Sequence, residues 1–254
     1  MSKSDASASA KSSENELQLR VDLAAAFRLV ADLGWHESVG NHFSAAVSSD
    51  GRHFLLNPRW RHFSLIRASD LIQLDATDDT VMDGPNAPDP SAWTIHGSIH
   101  RTVPNARVIV HCHPPYVTAL ACLKDPSLKP IDQNTARFFG IVGLDADFGG
   151  IADDATEGAR LAGLLGNMPI LLMGNHGVTV TAPTVAHAFE HLYFFERAAQ
   201  TLMLAYASGQ PLNVLTDEIA ERTARDWLAY DGMAFEHFEQ LKLMLDKTDP
   251  SYRD

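Results

Sequence analysis

Two cysteines in 254 residues, Cys112 and Cys122, are too few for a disulfide framework, and this scarcity fits a reducing compartment. Long apolar runs are missing as well. No stretch reaches the ~18 consecutive apolar residues of a membrane span, and the opening "MSKSDASASAKSSENE" has no apolar signal-peptide core. Together these absences predict a cytoplasmic protein. Basic charge is scarce: 20 Lys and Arg stand against 32 Asp and Glu, a formal net charge of -12, with no Lys/Arg-rich run. Nucleic acid and anionic membranes therefore lack their usual electrostatic attraction, and neither is expected as a partner.

What is present is ordinary globular composition, 45% hydrophobic and 20% charged, in a chain long enough for a sizeable core. Residues 1 to 14 are Ser/Ala/Lys-rich and read as a disordered tail, 15 to 247 as one domain, and 248 to 254 as a polar C-terminal tail whose Tyr252 would dock on a neighbour. From Leu17 to Leu33 the apolar residues Leu19, Leu23, Phe27 and Val30 follow helical spacing and stop at Gly34. "HFSAAVS" and "HFLLNP" read as strands joined by an "SDG" turn, and "LIQLD" as a third. Ala92 to Arg101 reads as a helix with Ser91 as its N-cap, "ARVIVHCH" as a strand, and "YVTALACL" as a helix. "PILLMGNHGVTVTA" reads as two strands broken by a Gly-Asn-His-Gly turn, and Thr184 to Ala207 and Thr216 to Lys247 as helical.

The chemistry sits in "VIVHCHPPY". On a strand, side chains at i and i+2 share a face, so His111 and His113 project together while Cys112 points away. Such a pair serves equally as two metal ligands or as two hydrogen-bonded core histidines. His176 is a third candidate at a strand junction, and the flanking Gly174 and Gly177, which permit a sharp turn and close approach of a ring, favour the metal. Neutral imidazoles suit zinc first, with manganese, iron or cobalt as alternatives.

"SAWTIHGSIHRTVPNARVIVHCHPPYVTALA", followed by "LLMGNHGVTV", resembles the class II aldolase and adducin head family over about Leu17 to Ala207. "NHFSAAV" and "HFLLNP" match two further family segments in position. The resemblance implies a three-layer α/β/α domain around a mostly antiparallel sheet, a homotetramer with sites near subunit interfaces, and His111, His113 and His176 as metal ligands.

Departures from the family's aldolases redirect the function. Their glutamate four residues before the helix histidine is Ala92 here, and alanine moves no proton. Where they bind phosphate, this chain has Asn41-His42-Phe43-Ser44 and Arg59-Trp60, which disfavours a sugar phosphate. Three neutral ligands leave an ion's charge unoffset, so an anionic oxo or hydroxy acid is the expected substrate, with Arg59 clamping its carboxylate and Asn41, Ser44 and Ser91 as further binding residues. His42, His96 and Tyr116 are the candidates for the missing proton donor, although His96 serves equally as a structural residue, and His100 reads as a surface residue. Glu37 is one replacement carboxylate. The charged residues of "HAFEHLYFFER" read as a solvated helix face, and Gln133 and Arg137 as pocket or interface residues.

These features predict a metal-dependent lyase performing aldol cleavage or decarboxylation. A non-catalytic adducin-like interaction module and an iron-dependent oxygenase are the alternatives.

Overall fold

The computed structural model describes residues 3–78, 80–103, 105–230 and 232–254, with side chains from residue 15 onward. Helix α1 runs over Lys3–Asp32, so the tail expected over residues 1 to 14 falls at its start, and in all its side chains, outside the described residues. Gly34, at φ +70°, ends the helical segment as its position predicts.

Among the described residues one seven-stranded sheet is formed by β1 His42–Ala46, β2 His53–Leu56, β3 Ile72–Asp75, β4 Val108–Cys112, β5 Val142–Asp145, β6 Ile170–Met173 and β7 Gly177–Ala182. Their order is β3-β2-β1-β4-β7-β6-β5, and all neighbours are antiparallel except β5 and β6. The "SDG" turn closes the β1–β2 hairpin, as expected. The two-residue period sorts side chains to opposite faces. Val108, Val110 and Cys112 of β4 enter the main core, while Ile109 enters a second cluster behind the sheet.

The helices complete an α/β/α sandwich. On one side lie α2 Pro90–Ala92 and α3 Ser98–Thr102, joined by a π-helical turn over Trp93–Gly97, and later α6 Ala155–Leu165. Ile95, Ile99, Leu161 and Leu165 from this layer pack on Ile109, Leu171 and Met173 of the sheet. The other side is covered by α1, α4 Pro115–Ala121, α5 Gln133–Ala136, α7 Val185–Ala207, α8 Asp217–Leu228 and α9 Gly232–Thr248. No helix of the described residues is long and apolar enough to cross a membrane.

Several expectations are corrected. Asp89, not Ser91, caps α2: its carboxylate accepts the Ser91 N–H while Pro90 opens the helix. β5 and α6 were not foreseen; "VGLD" is short, has Gly143 inside it and is only partly buried, so it carries no clear period. The carboxylates of α7 are not a solvated face. Glu190 is buried against Arg137 at 2.9 Å, and Glu196 accepts the N–H groups of Tyr116 and Val117 at the start of α4. Tyr252 docks on its own chain: it is fully buried and its hydroxyl donates to Asp246. Arg28 of α1 meanwhile holds Asp249 at 2.9 Å and anchors the same segment.

Candidate metal centre and active site

Strand register builds the site. His42, His111 and Thr179 face one another across β1, β4 and β7. All three side chains lie on the face toward the π-helical turn, two positions along from Ser44, Ile109 and Thr181 respectively. The His42 and His111 rings stack at 4.8 Å, and His111 Nδ1 lies 3.3 Å from the Thr179 hydroxyl.

His113 follows β4 directly, its ring 5.2 Å from that of His111. His176 arrives from the turn between β6 and β7, with its ring 4.8 Å from His111 and 4.7 Å from His113. That turn needs its sequence. Asn175 adopts φ +54°, which asparagine tolerates, and a Cβ on Gly177 would run into the His113 ring and sit 2.7 Å from the Cys112 carbonyl oxygen. One ligand atom from each of the three histidines lies within 4.8 Å of the others, a spacing that could hold a metal ion.

The donors also fit a divalent ion chemically. Burial, reinforced by neighbouring imidazoles, pushes His111 well below its ordinary pKa, and burial and His113 bring His176 down to about 4. Burial lowers His113 as well, against the opposing pull of Glu37. The rings are therefore neutral at physiological pH, which is the form that ligates metal. His113 Nε2 is buried with no hydrogen-bond partner among the described residues, and its Nδ1 lies 3.6 Å from Glu37 Oε1. A carboxylate on the second ring nitrogen orients a ligating histidine.

Beside this triad runs a line of further side chains. His42 Nδ1 lies 2.7 Å from His96 Nε2, His96 Nδ1 lies 2.6 Å from Ser44 Oγ, and Ser44 Oγ lies 2.8 Å from His100 Nε2. His100, expected at the surface, is 3% exposed and stacks on Phe54 at 4.4 Å. The π turn and α3 present both His96 and His100 to β1, so the i, i+4 spacing was the signal for its burial. Ser44 is fully buried with both imidazoles on its hydroxyl, which places it behind the site and out of reach of substrate.

The other expected residues divide. Asn41 is buried, its Oδ1 accepting the Glu37 N–H at 2.6 Å while Nδ2 has no partner among the described residues. Ser91 Oγ is 3.4 Å from His42 Nε2. Arg59 lies one step further out, its Nε 3.6 Å from Asp89 and its guanidinium 4.3 Å from the Trp60 ring centroid. Tyr116 is not brought to the histidines in any described contact; Glu196 pins the start of α4, and the Tyr116 ring packs on the main core. Ala92 is buried with Phe54 and Leu56, so nothing acidic enters from that position. Phe148, half exposed with its ring 6.2 Å from His176, was not foreseen because its loop carries no periodic signal.

Comparison with known proteins agrees with this architecture. A solved aldolase II superfamily protein from Pseudomonas syringae superposes with a TM-score of 0.85 at 30% identity, over 94% of this chain and 96% of that one. An adducin-related protein of Schizosaccharomyces pombe is 31% identical, over 94% of this chain and 78% of its own length. The decarboxylase NovR of Streptomyces niveus is 27% identical, over 84% of this chain and 78% of its own. Residues 21–203 match the family described as class II aldolase and adducin N-terminal domain. With the family model covering most of the chain and the fold matching a solved member, this chain belongs to the class II aldolase and adducin family.

Proposed function

We propose that this protein is a metal-dependent lyase that breaks a carbon–carbon bond of a small oxo or hydroxy acid, by aldol cleavage or decarboxylation. The observation that carries this reading is the convergence of three neutral imidazoles, His111, His113 and His176, on one point beside His42. Zinc is the ion of first choice, with manganese, iron or cobalt as alternatives. A divalent ion there would supply positive charge to a substrate oxygen as an enediolate develops.

The chain's own residues would do the rest. Asn41 Nδ2 offers an unused N–H to a substrate oxygen. Arg59, half exposed beside Asp89, meets an incoming carboxylate bidentately by exchanging partners. Asp89 links Arg59 to Ser91, and Ser91 lies beside His42 Nε2, with His96 behind His42. Ala92, packed among apolar side chains, removes the glutamate that the family's sugar-phosphate aldolases use, and so favours an acid whose own carboxylate binds and leaves. The decarboxylase among the relatives supports that arm. Exposed Trp60, Phe148 and Ile151 support assembly into a homotetramer, and two free cysteines fit a cytoplasmic location.

The test is metal analysis of the purified protein, followed by assays of oxo and hydroxy acids with each reconstituted ion. One ion per chain, lost in His111→Ala and His176→Ala together with acid cleavage, is the expected result. Failure to bind any ion would leave an adducin-like module as the better reading. Oxygen consumption with ferrous iron and no cleavage would favour the oxygenase.

A further inference from the structure

His42, His96, Ser44 and His100 form one continuous line of hydrogen-bonding atoms, and the two ends of that line determine its direction. At the outer end, the Ser91 hydroxyl donates its one hydrogen to Asp89 Oδ1 at 2.7 Å. Toward His42 Nε2, 3.4 Å away, Ser91 Oγ is then only an acceptor. At the inner end, His100 Nδ1 is buried with no partner among the described residues. A bare lone pair there is tolerated better than an orphaned N–H.

The charges at the ends agree. Asp89 acts on His42 as a nearby negative charge, and Arg107 acts on His100 as a nearby positive one. Each N–H or O–H dipole in a buried line between such charges is lowest in energy with its hydrogen toward the anion. A hydroxyl has one hydrogen and a neutral imidazole has one N–H. One arrangement then satisfies every contact: His100 Nε2–H donates to Ser44 Oγ, Ser44 donates to His96 Nδ1, and His96 Nε2–H donates to His42 Nδ1. The His42 hydrogen is left on Nε2, on the Ser91 side of a ring whose face stacks on His111.

We propose that Ser44, His96 and His100 are positioning residues that hold His42 as its Nε2–H tautomer, so that His42 meets the substrate as a neutral hydrogen-bond donor and not as a base. The line carries no spare proton. Passing one outward would leave a negative charge on buried His100, so His42 lends its N–H to a carbonyl or enolate oxygen without giving it up. The tautomer stands on the hydrogen-bond geometry alone, while its use on a substrate oxygen rests on the lyase reading.

The test is long-range proton–nitrogen NMR of the full chain labelled with 15N-histidine, metal-free and zinc-loaded, with the His42 signals identified by their loss in His42→Asn. The expected result is hydrogen on Nε2 and a bare Nδ1 in both forms. Ser44→Ala is expected to populate both tautomers while the melting transition persists, and Ser44→Thr, which keeps the hydroxyl, to restore one. For the cleaved acid, Ser44→Ala should lower kcat about tenfold with KM nearly constant, less than the roughly hundredfold cost of removing an oxyanion donor outright. Hydrogen on Nδ1 of His42 in the wild type, or an unchanged tautomer in folded Ser44→Ala, would overturn the proposal. The expected tautomer in a protein that cleaves no acid would overturn the lyase reading and leave the tautomer assignment standing.

Discussion

The His113 ring occupies the space that a Cβ on Gly177 would fill. Ligand placement and strand start are therefore one steric problem: β7 begins at Gly177, and the carbonyl of Cys112 closes the same gap. Gly177→Ala should displace the ring and weaken metal binding about tenfold or more, as misoriented ligands do. Competition titration against a chelator measures this, and wild-type affinity in the variant would contradict it.

Glu37 lies 3.6 Å from His113 Nδ1 and is largely exposed, so its part is orientation of the ring more than stability. Glu37→Gln is expected to lower metal affinity about tenfold while leaving the melting temperature of the metal-free protein unchanged. A fall in stability without a change in affinity would show a structural role instead.

Buried neutral histidines make stability depend on pH. Burial, and then Arg107, push His100 down to about 3, and burial, Arg137 and His187 push His191 down to about 4. Above about pH 6.5 neither folded nor unfolded chain protonates them. Below it the unfolded chain takes up protons that the folded one refuses, so stability falls with falling pH until the folded values are reached. Each such histidine contributes up to about 1.4 kcal/mol per pH unit in that window. Urea unfolding of metal-free protein between pH 7.5 and 5 should show this decline, shallower in His100→Phe. Identical slopes in the two proteins would rule His100 out as a contributor.

Tyr252 is completely buried in the helical turn Pro250–Arg253 that follows α9, with Arg28 and Asp249 holding its neighbourhood. Tyr252→Ala should cost about 3–5 kcal/mol, the range for removing a large buried ring. A denaturant midpoint that does not move would mean the segment detaches in solution.

Local pattern carried much of this protein. The alternation in "VIVHCH", the "SDG" hairpin and the Gly-Asn-His-Gly turn are written in neighbouring residues, and β1, β2, β4, β6 and β7 follow from them. The strand period placed His111 and His113 on one face and the turn marked His176 as a third candidate; that the three share one site was what the family resemblance implied, and the structure brings them together. β5 left no trace, because a four-residue strand with an internal glycine is specified by its parallel pairing to β6 and not by its own period.

What only the tertiary structure decided depends on partners far away in the chain. Ser44 turned from substrate binding to buried linkage because His96 and His100 lie more than fifty residues on, and Tyr116 turned inward because Glu196 holds the backbone beneath it. Glu190 was expected on a solvated face and Tyr252 on a neighbouring molecule, yet each is buried within the chain by one specific match, Arg137 for the first and Asp246 for the second. A sequence determines by itself what short-range sterics and periodicity enforce. Burial of a polar group is settled by whether a distant side chain arrives to satisfy it, and only the folded chain holds that information.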